Sequence, residues 1–455
     1  MSYNWSLPSL LFFSSLFFAQ NTAFSQTDTS RVIDLKEVKI SVNRFEESAR
    51  EQPAQIKQIT KKDIAFQNAP NTADLLINSG DIFVQKSQGG GGSPVLRGFE
   101  ASRVLLVVDG IRMNNAIYRS GHLQNVLRVD QAMLETTEVL FGPASLIYGS
   151  DALGGVISFN TKQPKLNTFS ANAYARYGTA IQEKTGHVDF NIGGKKFASL
   201  TSVTASNFGD IIQGNWRRDE YPDFGKRFVY PRLESNLRDV AVTNPNVNKQ
   251  VESGYSQLDL LQKFRYQNNA NFEQTVNLQL SVTGNVPRYD RLSETNSAGN
   301  PTFGQWYYGP ELRFLSAYEL RIKNRRLFDD SSIKFGFQKI EESRNNRRFN
   351  SEDLFTQEED VLIGSFNADF IKYAGENTYH YGIEYTINDV NSAAFISKLP
   401  SLSYGERFPT ATRYPDGGSQ MQTAAAYITA KNELVPDRLF VNYGVRYSFT
   451  HLQSK

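Results

Sequence analysis

The sequence predicts a mixed α/β domain followed by a transmembrane antiparallel β-barrel. Aromatic residues make up 13% of the 455 residues, yet the mean hydropathy is only −0.45. From about residue 168 onward, apolar and polar residues alternate in a long series of segments, and very long polar loops separate some of them. A barrel with a polar lumen and aromatic girdles combines these features. A soluble β-sandwich accounts for the alternation alone.

The alternation is clearest at residues 188–192, 276–282, 379–386 and 441–449. In each segment, one face of a strand carries apolar side chains and the other face carries polar or small ones. The polar stretches 206–249 and 391–420 are far longer than the other connections. Outer-membrane barrels have long loops at one end and short turns at the other, with the apolar face toward lipid.

The N-terminus has the pattern of a secretory signal peptide, predicted over residues 1–25. Leu7–Ala19 is apolar but too short to span a bilayer as a helix, and Ala23 and Ser25 offer small residues for cleavage. The segment before the apolar run lacks Lys and Arg, and a buried helix is the alternative. Beyond residue 25, the chain is expected to be soluble after export or to cross a membrane only as β-structure.

Composition excludes several classes of function. The chain has no cysteine, which rules out disulfide scaffolds, thiol catalysis and cysteine-ligated zinc. The formal net charge is +2, so nothing favours bulk binding to nucleic acid. A secreted β-rich carbohydrate-active protein could use paired carboxylates such as Glu358 and Asp360. However, clustered acids are more often solvated charges, and no Ser-His-Asp or metal-ligand spacing supports catalysis.

The mixed domain contains a short helix within Asn68–Gly80, capped by Asn71 or Thr72. Short strands are predicted at 81–85, 94–98 and 103–110. Four glycines, Gly89–Gly92, precede the second strand. No Gly-Lys-Ser/Thr follows them, so they do not form a phosphate loop, and a flexible loop is predicted instead.

Two long motifs in this domain, Leu96–Asn114 and Thr137–Lys162, resemble the plug domain of TonB-dependent outer-membrane receptors. The family often has arginine where this chain has Phe141. The resemblance implies structural roles in the plug for a set of residues in these motifs. They are Arg97, Gly98, Asp109, Gly110, Glu138, Gly142, Pro143, Tyr148, Gly149, Gly154 and Gly155.

The resemblance implies a mixed α/β plug domain inside a transmembrane barrel of 22 strands, the size of barrel that has a plugged lumen. It also implies a transporter in the outer membrane of a Gram-negative bacterium, with no enzymatic activity and no cofactor. The expected order is signal peptide 1–25, Ton box and linker 26–45, plug 46–164, and the N-terminal part of the barrel 165–455. The chain is expected to end partway through the barrel.

Arginines in the plugs of the family pair with carboxylates on the barrel wall. Arg97, Arg103 and Arg112 lie beside predicted turns and are candidates for such pairs. The alternative is that each is a solvated surface charge.

Ahead of the plug, Asp34–Arg44 resembles the Ton box, which a TonB-type energy-transducing protein of the inner membrane grips. Val38, Ile40 and Val42 alternate with polar residues, and an exposed extended segment of this kind can add as a strand to a partner's sheet. The predicted partner-binding residues are therefore Asp34, Val38, Ile40 and Val42. An ordinary first strand of the plug is the alternative.

His122, in a Gly-His-Leu setting, resembles the histidine at the plug apex of the heme and hemoglobin branch, where it is an axial ligand of heme iron. This resemblance makes His122 and Tyr118 candidate heme ligands, with heme as transported cargo and not as a cofactor. The alternative is that His122 only forms hydrogen bonds within its loop. That branch has a second histidine beside an Asn-Pro-Asn-Leu box, whereas the only Asn-Pro-Asn here, Asn244–Asn246, comes too early.

The sequence thus predicts active uptake of an iron-containing ligand, heme or a heme protein. A ferric-siderophore or cobalamin receptor of the same family is the alternative. His187 and His380 are expected to point into the lumen and could contribute to a site there. A passive porin or adhesin is disfavoured, because a passive pore needs neither a plug nor a Ton box.

Overall fold

The computed structural model describes residues 39–40, 44–45, 47–48, 54–117, 125–399, 406–435 and 438–455. The predicted signal peptide therefore lies outside the described residues, as do Asp34, Val38, Val42, Tyr118 and His122. In the described part of the chain, no helix is long and apolar enough to cross a membrane.

The plug, as described, consists of ten short strands and three short helices that precede residue 162. The strands are β1 Lys39–Ile40, β2 Glu47–Ser48, β3 Gln55–Thr60, β4 Phe83–Gln85, β5 Ser93–Leu96, β6 Phe99–Glu100, β7 Val104–Val108, β8 Ile111–Arg112, β9 Leu134–Phe141 and β10 Gly155–Thr161. The helices are α1 Lys61–Gln67, α2 Thr72–Asn78 and α3 Ser145–Tyr148. Single turns of 3-10 helix occur at Ala101–Arg103, Val126–Arg128, Gln131–Met133 and Ser150–Ala152.

The barrel part consists of longer strands and one short helix, α4 Tyr289–Leu292. The strands are β11 Phe169–Gly178, β12 Glu183–Gly193, β13 Phe197–Phe208, β14 Ile211–Ile212, β15 Val229–Leu233, β16 Asp239–Thr243, β17 Lys249–Gln250, β18 Tyr255–Asn269, β19 Phe272–Thr283, β20 Val286–Pro287, β21 Phe303–Tyr308, β22 Glu311–Ile322, β23 Asp330–Arg348, β24 Asp353–Ala374, β25 Asn377–Lys398, β26 Arg407–Pro409, β27 Ser419–Val435 and β28 Leu439–Ser454.

The core of the plug is a five-stranded sheet in the order β3-β9-β10-β7-β8. β10 pairs parallel to β7 and antiparallel to β9. All five residues of β7 are buried, because the sheet is covered on both faces. Leu106 and Val108 pack into one apolar cluster and Leu105 and Val107 into another, as the two-residue period of a strand requires.

Capping side chains determine where the plug helices begin. Thr60 and Asp63 form a reciprocal capping box at the start of α1. At α2, the Asn71 side chain accepts a hydrogen bond from the Asp74 amide at 3.0 Å. The helix predicted within Asn68–Gly80 is therefore α2, with Asn71 as its N-cap, and it buries Leu75 and Leu76 in the core.

The barrel strands form one large antiparallel sheet in the order β11-β12-β13-β18-β19-β22-β23-β24-β25-β27-β28. On β12, His187, Asp189 and other polar residues are buried on the inner face. Val188 and Ile192 on the outer face are 41% and 55% exposed. The prediction of a plug domain and an antiparallel barrel sheet with an apolar outer face is confirmed.

The two ends of this sheet differ in their connections. At the short-turn end, strands are joined by turns such as 194–196, 270–271 and 375–376. At the opposite end lie the long connections 209–254, 284–310 and 399–418, and this end is called the long-loop end.

A cation on the apolar outer face should destabilise the barrel. Ile383 of β25 is 50% exposed on that face and pairs with residues of β24 and β27 on either side. Because lipid cannot solvate a guanidinium, Ile383→Arg should lower the free energy of unfolding by about 2–4 kcal/mol, and Ile383→Val should have little effect. The measurement is urea unfolding in lipid vesicles. Equal midpoints for the two variants would contradict the outward orientation of Ile383.

Candidate functional site

The segment that leads to His122 reaches the barrel wall toward the long-loop end. Ile117 is buried in an apolar cluster with residues of β23, β24 and β25, among them Val390. The Tyr414 hydroxyl, in the 399–418 connection, donates to the Ile117 carbonyl at 3.0 Å. The Ala116 amide donates to the side chain of Asn388 at 3.2 Å. The chain is therefore held against β25 and a long connection immediately before residues 118–124.

The chain returns from residues 118–124 at Asn125, where it contacts the glycine run. The Asn125 side chain donates to the Gly90 carbonyl at 3.2 Å, and the Val126 amide donates to the Gly92 carbonyl at 3.0 Å. The Arg128 guanidinium also donates to the Gly90 carbonyl, at 3.3 Å. The segment that carries His122 is thus flanked by anchored residues on both sides.

The glycine run lies in a loop, as predicted, and its backbone is closely packed. A Cβ on Gly90 would lie 2.9 Å from Val286 and 3.0 Å from the ring of Tyr255, both on the barrel side. A Cβ on Gly92 would lie 2.9 Å from Ala73 of α2. Glycine is required here because the backbone approaches its neighbours too closely for a side chain.

The turn between β7 and β8 is Asp109-Gly110, with positive φ of 50° and 82°. Two positive φ angles are typical of the two-residue hairpin turn that favours Asp-Gly. This turn projects the Asp109 carboxylate onto the polar face of the barrel. There it lies 3.2 Å from the Lys263 amino group and accepts hydrogen bonds from Asn277 at 2.8 Å and Gln279 at 3.2 Å.

Asp109 also accepts from the amide and hydroxyl of Thr161 in the plug, at 2.9 and 2.7 Å. The Lys263 side chain is only 1% exposed, so its charge depends on the carboxylate. Asp109, Lys263, Asn277 and Gln279 are called the Asp109 clamp. It joins the end of β7 to β18 and β19.

A second set of buried charges holds the N-terminal end of the described plug. The Arg44 guanidinium lies 2.7 Å from Asp369 of β24 and also pairs with Glu384 of β25. Tyr427 donates to Asp369 at 2.7 Å, and Arg446 pairs with Glu384. These five residues are called the Arg44 cluster.

The Arg44 cluster also contacts α3. Arg44 and Arg446 donate to the Ile147 carbonyl at 3.0 and 2.8 Å, and Arg44 lies 4.8 Å above the ring of Tyr148. Burial raises the pKa of Tyr148 to about 12, so the phenol is neutral. Burial lowers the pKa of Arg44, but the Asp369 carboxylate together with Tyr427 and Tyr148 raises it by more, and the net result is a raised pKa. Arg44 therefore remains a cation in this buried site.

Two of the arginines predicted to pair with barrel carboxylates, Arg97 and Arg112, have partners within the plug instead. Arg97 is exposed, with its guanidinium 5.2 Å from the ring of Phe141, and it donates to Gln55. Arg112 pairs with Asp151 of the plug at 2.6 Å. The arginines that bridge to barrel carboxylates are Arg44 and Arg128, the latter 3.6 Å from Glu311.

The other predicted plug residues lie in or beside its strands and turns. Glu138 is a buried residue of β9, 2% exposed. Gly98 lies between β5 and β6, Gly142 and Pro143 follow β9, and Gly149 ends α3. Gly154 immediately precedes β10 and Gly155 is its first residue; a Cβ on Gly154 would collide with Phe99, and one on Gly155 with the Leu140 carbonyl.

The two predicted lumen histidines are buried, at 5% and 6% exposure. The ring nitrogens of His187 contact Thr204 at 2.7 Å and Asp189 at 3.0 Å, and its ring stacks on Tyr174. His380 lies edge-on to Phe45, with ring centres 5.8 Å apart. In the described part of the chain, no group of three or more His, Asp or Glu residues is arranged to hold a metal ion.

The sequence did not predict the role of Arg44, nor the barrel residues of the Asp109 clamp and the Arg44 cluster. A signal was available, because Lys263, Asp369 and Glu384 fall on the polar faces of alternating strands. An ionisable side chain on the inner face of a barrel needs a partner. The sequence did not indicate which plug residue meets which strand.

These contacts define a large antiparallel sheet whose polar inner face is bonded to a separate mixed domain. Residues 48–156 match the TonB-dependent receptor plug domain. This stretch of the chain is therefore a plug domain of that type, and the prediction of a plug domain is confirmed. The family consists of receptors and transporters, not enzymes, and carries no resident cofactor.

One relative is a hemin receptor of Yersinia enterocolitica, 31% identical over 226 residues, which cover 48% of this chain and 32% of that protein. Among solved structures, the ferric yersiniabactin uptake receptor FyuA of Yersinia pestis is similar with a TM-score of 0.59 and 15% identity, over 87% of this chain and 56% of that chain. The Serratia marcescens hemophore receptor HasR has a TM-score of 0.63 and 15% identity, over 89% and 53%.

The ferripyoverdine receptor of Pseudomonas aeruginosa has a TM-score of 0.63 and 13% identity, over 92% of this chain and 56% of that chain. The alignments thus cover about half the length of these solved receptors and about a third of the hemin receptor. At these identities, the structural similarities establish the fold alone.

Neutralising Asp109 should weaken the attachment of the plug. Asp109→Asn retains the shape of the side chain, and asparagine can adopt the positive φ of this position. However, it leaves the Lys263 cation without a compensating charge. The plug should be destabilised by about 3–5 kcal/mol. The matched control is Asp81→Asn, because Asp81 pairs with Lys57 at a site where both side chains are about 40% exposed. The control substitution should destabilise the plug by less than about 1 kcal/mol.

The measurement is plug proteolysis in the purified receptor as a function of urea concentration. Equal protection of the Asp109 and Asp81 variants would show that the clamp does not hold the plug.

Proposed function

We propose that the complete protein is a TonB-dependent receptor of the Gram-negative outer membrane that takes up heme or a heme protein. The observation that carries this proposal is the anchoring of the segment that contains His122. Ile117 contacts the 399–418 connection, and Asn125 is bonded to the packed glycine run. The residues on either side of 118–124 are therefore anchored, Ile117 and Ala116 to the barrel wall and a long connection, and Asn125 to the glycine run.

The chemistry of heme suits the residues in this segment. Imidazole and phenolate groups are axial ligands of heme iron in proteins, and His122 and Tyr118 supply one of each. The likeness to the hemin receptor of Yersinia enterocolitica supports the same ligand class. In this proposal the ligand docks between the long loops and the plug apex, and His122 coordinates the iron.

The second part of the proposal concerns the source of the energy that releases the ligand. A TonB-type partner pairs with the backbone of Asp34–Val42 and pulls on it. Within this segment, Ile40 pairs with Glu47 in the short β1-β2 ladder. Arg44 lies between these strands, so tension on residues before Ile40 reaches the Arg44 cluster before the Asp109 clamp.

The Arg44 cluster is suited to resist such tension until the partner acts. The side chains of Arg44, Asp369 and Glu384 are 7%, 4% and 11% exposed. Separating a buried ion pair leaves uncompensated charges and costs several kcal/mol. The cluster would therefore keep the plug in place while the partner is absent. It would release the plug when the partner pulls on the chain.

A ferric-siderophore receptor is the second candidate. The structural similarity to the yersiniabactin and ferripyoverdine receptors is comparable to that for HasR, with TM-scores of 0.59, 0.63 and 0.63. A hemin titration separates the two candidates.

Hemin should bind the complete purified receptor and shift the Soret absorbance band. His122→Ala should weaken binding by about tenfold or more, which corresponds to about 1.4 kcal/mol for the lost iron ligand. The matched control is His451→Ala, which removes an exposed imidazole from β28 and should leave the titration unchanged. The absence of any Soret shift in the unaltered receptor would contradict the heme proposal and favour the siderophore candidate.

A proline in the predicted Ton box should separate binding from uptake. Ile40→Pro removes a backbone donor and fixes φ, so strand pairing with the partner is lost. Hemin-dependent growth should be abolished, whereas binding of hemin to the cell surface should be unchanged. Ile40→Val keeps the strand and serves as the control. Normal growth of the proline variant would show that the partner binds another segment of the chain.

A further inference from the structure

The 399–418 connection carries a buried arginine, Arg413, beside the plug segment that leads to His122. The neighbouring residue, Tyr414, donates from its hydroxyl to the Ile117 carbonyl at 3.0 Å, and the Arg413 guanidinium lies 5.5 Å from the Tyr414 ring centre. The Arg413 side chain is only 6% exposed. Since bulk water hardly reaches this guanidinium, each of its N–H groups needs a partner in the protein or in a ligand.

One nitrogen of the guanidinium is bonded to the barrel wall. Nη1 of Arg413 donates to Oε2 of Glu359, in β24, at 2.9 Å, and the Glu359 side chain is fully buried. A hydrogen bond between two ionised groups is among the strong ones in proteins. The guanidinium is therefore held in a fixed orientation against β24.

The opposite edge of the guanidinium is unpaired. Within the described part of the chain, Nε and Nη2 of Arg413 have no hydrogen-bond partner, and both atoms are buried. These two nitrogens share one edge of the planar group, so their N–H bonds form a parallel fork. Because Nη1 lies opposite this edge, the fork points away from Glu359 and from β24. Buried charged donors without partners destabilise a fold, so this edge requires an explanation.

The unpaired fork has the geometry of a carboxylate site. Two parallel N–H donors match the two oxygens of a carboxylate, which is why arginine recognises this group so specifically. Glu359 is bonded to the other side of the guanidinium. The stretches 118–124 and 400–405 contain no Asp or Glu, so neither can supply a carboxylate. A ligand with a carboxylate is therefore the partner that this fork fits.

The wall behind Arg413 explains why a cation is retained there. Glu359 of β24 is directly opposite Glu342 of β23 in the register of the two strands. Like charges on directly opposite residues of neighbouring strands repel each other, and a guanidinium beside them offsets this repulsion. Removing Arg413 alone would therefore disturb the wall, and a substitution of Arg413 needs a matching change at Glu359.

The same segment provides space for a ligand. A cavity of about 500 Å³ is lined by residues 409–416, Arg413 among them. This volume lies within the range of about 300–1,000 Å³ that is typical of sites for small organic ligands.

We propose that Arg413 binds a carboxylate of the cargo through Nε and Nη2. This inference rests on the proposed uptake of heme and names the group that orients the cargo. Hemin carries two carboxylates on one edge of the porphyrin, remote from the iron. With the iron held at His122, a carboxylate at Arg413 stops the ring from rotating about the iron ligand. A cargo that lacks carboxylates forgoes this contact, so Arg413 also contributes to selectivity.

The test compares hemin with hemin dimethyl ester, in which both carboxylates are esterified, by Soret titration of the complete purified receptor. The unaltered receptor should bind the ester about tenfold more weakly, because an ester cannot accept the charge-assisted pair of hydrogen bonds. Arg413→Lys keeps the charge beside Glu359 but lacks the fork, and the preference for hemin should fall to about threefold. In Arg413→Gln with Glu359→Gln, which removes both charges together, hemin and its ester should bind equally.

The matched control is Arg407→Lys, on the same connection. Arg407 is exposed, with its guanidinium 4.2 Å from the ring of Phe395, and the control should keep the tenfold preference. An unchanged preference in both Arg413 variants would overturn the inference and leave the proposed function standing. An equal loss of preference in the Arg407 variant would also overturn it, since the general charge of the connection would then be responsible.

A second measurement needs no heme. In the purified receptor, the Nε–H resonance of Arg413 can be identified by its absence from the NMR spectrum of Arg413→Lys. It should shift when sodium acetate replaces sodium chloride at equal ionic strength. An unchanged resonance would show that the fork holds only water and would overturn the inference, whatever the result with hemin. A shifted resonance in a receptor that does not bind hemin would support the carboxylate site and contradict the proposed function alone.

Discussion

The interaction on which the rest of the structure depends is the pairing of buried charges between the plug and the inner face of the barrel. The inner face of the barrel strands is polar, whereas the outer face of the same strands is apolar. A polar face cannot hold a domain by hydrophobic burial alone, so attachment requires specific partners. The Asp109 carboxylate beside Lys263, and Arg44 between Asp369 and Glu384, are those partners. Such ion pairs are strong while water is excluded from them. Once water enters, the separated charged side chains are readily hydrated.

In the proposed function, this chemistry would allow the plug to block the lumen and still be displaced. A plug packed like an ordinary protein core would resist any displacement, and one surrounded by water would not block the lumen. The glycine run is closely packed on Tyr255 and Val286, whereas a polar cavity of about 690 Å³ lies beside Asp109. The position of Arg44, between the first two described strands, connects this arrangement to the segment that a partner would pull.

Much of the fold could be predicted from local sequence patterns. The Asp-Gly turn after a run of apolar residues predicts the hairpin at Asp109, and Asn71 predicts the start of α2, because each rests on the conformation of a few adjacent residues. The close packing of the glycine run could not be predicted, for the opposite reason. Four consecutive glycines lack any side chain that would reveal their neighbours, and only the approach of Tyr255, far along the chain, shows that they are packed.

By itself, the sequence determined the class of the protein, because the plug motifs and the two-residue alternation of the strands are local features that repeat along the chain. The tertiary structure alone decided which charges meet. Arg97 turns to Phe141 within the plug, whereas Arg44 reaches two barrel strands more than 300 residues away in the chain. The physical reason is that an ion pair depends on the distance between two side chains in space. That distance is set by the register of the whole sheet around the plug, which no single segment encodes.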